Sequence, residues 1–211
     1  MNCCEVVVPS TIPDAAPSNA LGGSPVARRA PARHHPHMAA VRILVVGDTH
    51  AYTWEELHPR LREAVAQADI AVHCGDIVRE AVVAGFRAAA RRAVVVHGNS
   101  DPYELRQALP AVERFEVEGV RIGVTHPAWG AEEFPPERLL PDFREGPDGA
   151  STVDVILYGH LHEPVNERRE GVLFLNGGQG YASFRVPGTM AWLTVEDGRA
   201  SGAIELIEPG R

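Results

Sequence analysis

Val41-Arg42-Ile43-Leu44-Val45-Val46-Gly47-Asp48-Thr49-His50 is the stretch on which the reading of this chain turns. An apolar run rich in Val and Ile breaks at a glycine and is followed at once by side chains that bind metals or donate and accept hydrogen bonds. Runs this short read as strands buried on both faces. The same design recurs downstream. Ile70 to Cys74 runs into Gly75-Asp76, Ala93 to His97 into Gly98-Asn99, and Val153 to Tyr158 into Gly159-His160, while Val120 to Thr125 ends directly on His126. The segments between the first three runs are helical in character. Trp54 to Gln67 carries Leu57, Leu61, Ala64, Val65 and Ala68 on one side, Arg79 to Arg92 is rich in Ala, and Pro102 to Leu109 opens with Pro. Strand and helix in alternation imply parallel pairing through right-handed crossovers.

Beyond Ala111 the texture changes to hairpins. Glu118-Gly119 joins Val112–Val117 to Val120–Thr125, Glu170-Gly171 joins Pro164–Arg169 to Val172–Leu175, and Asp197-Gly198 joins Thr189–Val195 to Ala203–Ile207. The second half is therefore expected to supply mostly antiparallel strands, with one helix around Pro136 to Phe143. The expected fold class is α/β, with two mixed sheets packed face to face and helices outside.

The 211 residues suit one domain. Residues 1–38 read differently from the rest. They are rich in Pro, Ala and Ser, lack periodicity and end in a tract holding His34, His35 and His37. This is a poor signal peptide and reads as a disordered tail. Met38 directly precedes the first strand, so a start site misplaced upstream fits as well. The domain is then 39–211. No run approaches membrane-spanning length. Cys3, Cys4 and Cys74 form no metal or disulfide pattern, so a reducing cytoplasm is the expected compartment. The net charge of −8 argues against stable nucleic-acid binding on a broad basic surface.

In open α/β sheets, sites form at the carboxyl ends of parallel strands. Asp48, His50, Asp76, Asn99, His126, His160 and His162 all fall at such ends. Each alone has a plain structural reading as a helix cap, turn residue or satisfied histidine. Seven of them on five strand ends point instead to a metal centre, for which neutral imidazole and carboxylate are the usual donors.

Taken in order, Gly47-Asp48-Thr49-His50, Gly75-Asp76, Gly98-Asn99-Ser100-Asp101, Thr125-His126 and Gly159-His160-Leu161-His162 resemble the calcineurin-like metallophosphoesterase superfamily, most closely its small bacterial and archaeal phosphodiesterase branch. The resemblance spans residues 41 to about 208 and implies a four-layer α/β/β/α sandwich. It implies that Asp48, His50, Asp76 and His162 hold one divalent metal and Asp76, Asn99, His126 and His160 a second, with Asp76 and a hydroxide bridging them. Two dications roughly 3.5–4 Å apart ionise a water and clamp phosphate oxygens for in-line attack. The mixed N and O donors suit Mn²⁺, with Fe, Co²⁺ or Zn²⁺ as alternatives, better than Mg²⁺ or Ca²⁺. Asp76, Asn99 and His126 are expected closest to the chemistry, and Asn99, Ser100 and Arg79 toward the substrate.

This sequence departs from the family pattern at Ser100, where many members carry a His that contacts the phosphate and protonates the leaving group. Losing a general acid costs about 10²–10⁴-fold, which tilts the expectation toward diesters over monoesters. Asp101 would orient that His, so its task here is open. Pro127 follows His126 where Gly is usual, and Asn176-Gly177-Gly178-Gln179 replaces the usual Asn-Pro-Gly-Ser. Of the remaining candidates, His73 and His97 are expected in the core or lining the cleft, His58 exposed on a helix, and Cys74 buried. Trp54, Trp129 and Tyr181 are read as packing residues. The alternative to a phosphoesterase acting on a small substrate is a non-catalytic interaction scaffold, as in the retromer subunit branch of this family, which has lost ligands that are present here. A homo-oligomer is compatible with either.

Overall fold

The computed structural model describes residues 39–127, 135–145 and 150–210. The tail at 1–38 and Trp129 lie outside the described residues. The strands are β1 (Val41–Val46), β2 (Ile70–Cys74), β3 (Ala93–Val96), β4 (Val112–Val117), β5 (Val120–Thr125), β6 (Arg144–Glu145), β7 (Ala150–Ser151), β8 (Val155–Tyr158), β9 (Pro164–Arg169), β10 (Val172–Gly177), β11 (Gly188–Glu196) and β12 (Arg199–Glu208). The helices are α1 (Pro59–Gln67), α2 (Glu80–Ala89) and α3 (Tyr103–Ala108), with 3₁₀ segments at Trp54–Glu56 and Pro136–Phe143.

Two five-stranded sheets result, ordered β12-β11-β1-β2-β3 and β4-β5-β8-β10-β9. In the first, β1, β2 and β3 are parallel, and the β11–β12 hairpin extends the sheet antiparallel to β1. The second sheet differs from the antiparallel expectation at its centre, because β5, β8 and β10 run parallel. Two of the three hairpins form its flanks, β4–β5 and β9–β10. Parallel pairing needs a crossover of a dozen or more residues, and the chain between Thr125 and Val155 supplies one.

Three apolar layers hold these sheets. Ile43, Val45, Val72, Val96, Ile122, Val124, Leu157 and Leu175 fill the space between them. Leu61, Val65, Val82, Phe86 and Leu105 pack the helices onto the outer face of the first sheet. Leu139, Leu140 and Phe143 cover the outer face of the second, against Ile156 and Phe174. Each such side chain contributes about 1.5–3 kcal/mol when taken out of water. The fourth layer is a 3₁₀ segment, and Pro141 inside it has no N–H to donate to a regular helix.

The helix expected over Trp54 to Gln67 is interrupted before Pro59, since the residue preceding a proline is driven out of helical geometry. His58 is accordingly half-buried at the N-cap, where its Nδ1 accepts from Arg60 N at 3.2 Å, and not exposed on a helix as expected. Register aligns the strand ends. Val46 lies beside His73, Cys74 beside Val96, and Thr125 beside Tyr158. The turns that follow therefore emerge side by side at one edge of the sandwich.

Candidate metal centre

The backbone at these turns is unusual. Asp48, His50, Asp76, His160 and His162 have φ of 51°, 46°, 56°, 88° and 60°. Left-handed non-glycine residues are uncommon, with Asp and His among the tolerated types, and each costs on the order of 1–3 kcal/mol. Hydrogen bonds between the turns offset that cost. Asp48 N donates to Gly75 O at 3.0 Å and His50 N to Asp76 O at 3.1 Å. His160 N donates to both oxygens of Asp48, at 3.1 and 2.9 Å. Gly159 allows this closeness, for a Cβ there would lie 2.7 Å from Cys74 O, 2.8 Å from Asp48 Oδ2 and 2.9 Å from His126 Nδ1.

The seven residues singled out from sequence come together. Asp48 and Asp76 are buried, and His126 has a fully buried side chain. His162 Nε2 lies 3.4 Å from Asp48 Oδ1, His50 Nε2 3.7 Å from Asp76 Oδ2, and His126 Nε2 3.5 Å from Asp76 Oδ1. Asn99 Oδ1 sits 3.0 Å from His126 Nε2 and 2.8 Å from His160 Nδ1. Two triads bring their ligand atoms within 4.8 Å of one another, Asp48 with His50 and His162, and Asp48 with Asp76 and His126.

Burial alone would raise the Asp48 pKa. The hydrogen bond from His162 and the nearby His126 and His160 groups outweigh it, so this carboxyl lies below its ordinary value. His162 is raised, first by its bond to Asp48 and against its partial burial. His73, wholly buried, is pushed down to about 4 by desolvation, with Asp101 and Asp48 opposing.

The donor set fits cations. His126 Nδ1 is 2.7 Å from Cys74 O, and a carbonyl only accepts, so the proton resides on Nδ1. In the neutral ring Nε2 is then a bare lone pair, aimed at Asn99 Oδ1. The Asn99 amide is oriented by Nδ2, which donates to Ser100 Oγ at 3.3 Å. Acceptor thus faces acceptor, beside a buried carboxylate, and a positive charge between them relieves the conflict. His50 Nε2 is likewise buried without a hydrogen-bond partner.

Residues 41–198 match the calcineurin-like phosphoesterase superfamily domain. The chain belongs to this superfamily. A probable metallophosphoesterase of Methanocaldococcus jannaschii is 30% identical over 135 residues, 64% of this chain and 65% of that protein, so the match spans slightly less than two thirds of the relative. The solution structure of a Thermotoga maritima protein is 30% identical with a TM-score of 0.60, over 79% of this chain and 99% of that one. Vps29 of Chaetomium thermophilum shares the fold at 16% identity and a TM-score of 0.58, over 81% of this chain and 99% of that one. The calcineurin-like sandwich thus holds its polar cluster where the strand-end pattern put it.

Ser100 and Arg79, expected toward the substrate, each have protein partners here. Ser100 bonds to Asp76, its N to Oδ1 and its Oγ to Oδ2, both at 2.8 Å. Arg79 is exposed, donating to Val78 O at 2.7 Å and stacking 4.5 Å over the Tyr52 ring. Trp54 packs edge-on against Phe86, as a packing residue should. Tyr181 instead stands at the rim, edge-on to His50 at 6.1 Å. Three supporting contacts were not legible in the sequence. Gln179 Oε1 lies 3.0 Å from His162 Nδ1 and is itself anchored through Nε2 to Tyr181 O and Ser183 Oγ. Thr49 Oγ1 meets His73 Nε2 at 3.1 Å. Asp101 is buried against the backbone of the Asp76 turn. The departure at Gln179 from the usual family loop was visible, but the partner it serves was not.

Proposed function

We propose that this protein is a metal-dependent hydrolase of small phosphoesters, with phosphodiesters preferred. Asp48, His50, Asp76 and His162 would hold one divalent cation and Asp76, Asn99, His126 and His160 a second, Mn²⁺ foremost, with Fe, Co²⁺ or Zn²⁺ able to substitute. The observation that carries this reading is the convergence of seven donors around an acceptor-to-acceptor contact at His126 and Asn99. Two such ions supply a water ionised near neutral pH and neutralise phosphate oxygens for in-line displacement.

The chain's own groups prepare that chemistry. Cys74 O fixes the His126 tautomer, leaving Nε2 free to coordinate. Gln179 orients the His162 ring in the same way. Buried Asp76 lies between the imidazoles of His50 and His126, which supports a bridging role for its carboxylate. Ser100 spends its hydroxyl proton on Asp76 and is not free to protonate a leaving group. Good leaving groups and diesters are favoured for that reason. Arg79, exposed and stacked on Tyr52, would have to leave that ring to meet a phosphate oxygen.

The test is turnover of bis(p-nitrophenyl) phosphate and p-nitrophenyl phosphate with Mn²⁺, for the wild type and Asp76→Ala. Metal-stimulated hydrolysis of the diester should fall more than about 100-fold, beyond the effect usual for an outer partner of a ligand. Turnover that needs no metal, or that survives Asp76→Ala, overturns the reading. A scaffold on the same fold would have no need of two ions, so metal content on the same preparation separates the two classes.

A further inference from the structure

We infer that Ser100 and Asp101 act together as a positioning clamp on Asp76, one gripping its side chain and the other its backbone, and that this clamp sets the affinity of the metal centre. The inference rests on the metal-centre reading above and assigns Ser100 a place other than substrate contact.

Asp101 is 2% exposed. Its carboxylate accepts from Asp76 N at 3.2 Å, Ile77 N at 2.7 Å, Val78 N at 2.6 Å and Gly98 N at 2.7 Å. Asp76 and Val78, two of those donors, are left-handed, with φ of 56° and 67°. Valine is β-branched and tolerates that region poorly, so something must hold it there. A carboxylate collecting successive N–H groups does so, because hydrogen bonds to an ion are about twice as strong as neutral ones. The Gly98 bond ties the same carboxylate to the turn that carries Asn99, so one residue sets the spacing of two metal-bearing turns. That spacing is tight, since a Cβ on Gly98 would collide with Asp76 Oδ1.

Ser100 completes the grip. Its N and Oγ each take one oxygen of Asp76, fixing the plane of the carboxylate. Each oxygen accepts one such bond and keeps a second lone pair for a cation. Asn99 Nδ2 donates to Ser100 Oγ, which leaves that hydroxyl proton directed at Asp76. The dipeptide therefore presents the bridging carboxylate already oriented, at no further ordering cost when ions arrive.

The experiment is calorimetric titration of metal-stripped protein with Mn²⁺ for the wild type, Ser100→Ala, Ser100→Thr and Asp101→Asn, with thermal midpoints measured alongside. Ser100→Ala and Asp101→Asn should weaken Mn²⁺ binding roughly 10–100-fold, and Ser100→Thr, which keeps the hydroxyl, should recover most of the loss. Unchanged Mn²⁺ affinity in Ser100→Ala overturns the clamp, as does a Ser100→Thr no better than Ser100→Ala. If Asp101→Asn does not fold, the serine pair still decides. A wild type that binds no Mn²⁺ overturns the metal-centre reading itself, an outcome distinct from variants that bind as well as the wild type.

Discussion

The hairpin turns and the strand-end turns use the same backbone conformation for opposite purposes. At Glu118-Gly119, Glu170-Gly171 and Asp197-Gly198 both central residues have positive φ, between 49° and 83°. This is the turn whose twist matches that of the flanking strands. These turns are open to solvent, and a Cβ on Gly119 or Gly171 would meet nothing within 4 Å. At Asp48, Asp76 and His160 the same left-handed geometry is buried or half-buried among other backbones and reverses no hairpin. In one region the conformation is selected locally, by chain connection. In the other it is held by distant partners against its own preference, which is where strain accumulates at functional sites.

The contrast is sharpest in its expected response to acid. His73 beneath the strand ends has a folded pKa near 4, driven down by burial, against 6.5 when unfolded. Between those values the unfolded chain binds the extra proton, so stability falls as pH drops from 6.5 toward 4. The full contribution is present above 6.5 and amounts to about 3 kcal/mol. Urea unfolding in EDTA should show wild type losing that much more than His73→Leu between pH 7 and pH 4. Equal losses would mean that burial beneath the strand ends does not depress the His73 pKa.

Glycine replacements probe the same contrast more gently. Gly159→Ala forces a Cβ onto Cys74 O, Asp48 and His126, costing about 2 kcal/mol as an overpacked site. It should also weaken Mn²⁺ binding more than tenfold. Gly119→Ala meets open space and pays only the left-handed penalty of about 1 kcal/mol, with Mn²⁺ binding unchanged. Denaturation and metal titration on both variants check this, and identical behaviour in the two would dissolve the distinction.

The smallest effect is expected at Glu118, which has φ of 49° on an exposed turn. Glu118→Gly removes the side-chain penalty and should raise stability by about 0.5 kcal/mol. A measured loss would show that the hairpin depends on more than local geometry.

What could be read along the chain were features with a local signature. The Val- and Ile-rich runs marked the strands, Glu-Gly and Asp-Gly marked the hairpins, and a metal-type residue behind each buried run marked the seven members of the cluster. These follow from side-chain shape and turn chemistry within a few residues of one another. The parallel pairing of β5, β8 and β10 was decided by tertiary structure, because hairpin signals report adjacent strands only. Burial of Asp101 under four N–H groups, the turn of Ser100 onto Asp76 and the Gln179 support for His162 also arise only there. Gly98 lies three positions before Asp101 in the same turn, but the other partners lie 17 to 25 positions away on neighbouring strand ends, and no periodicity couples residues that meet only once those strands have paired.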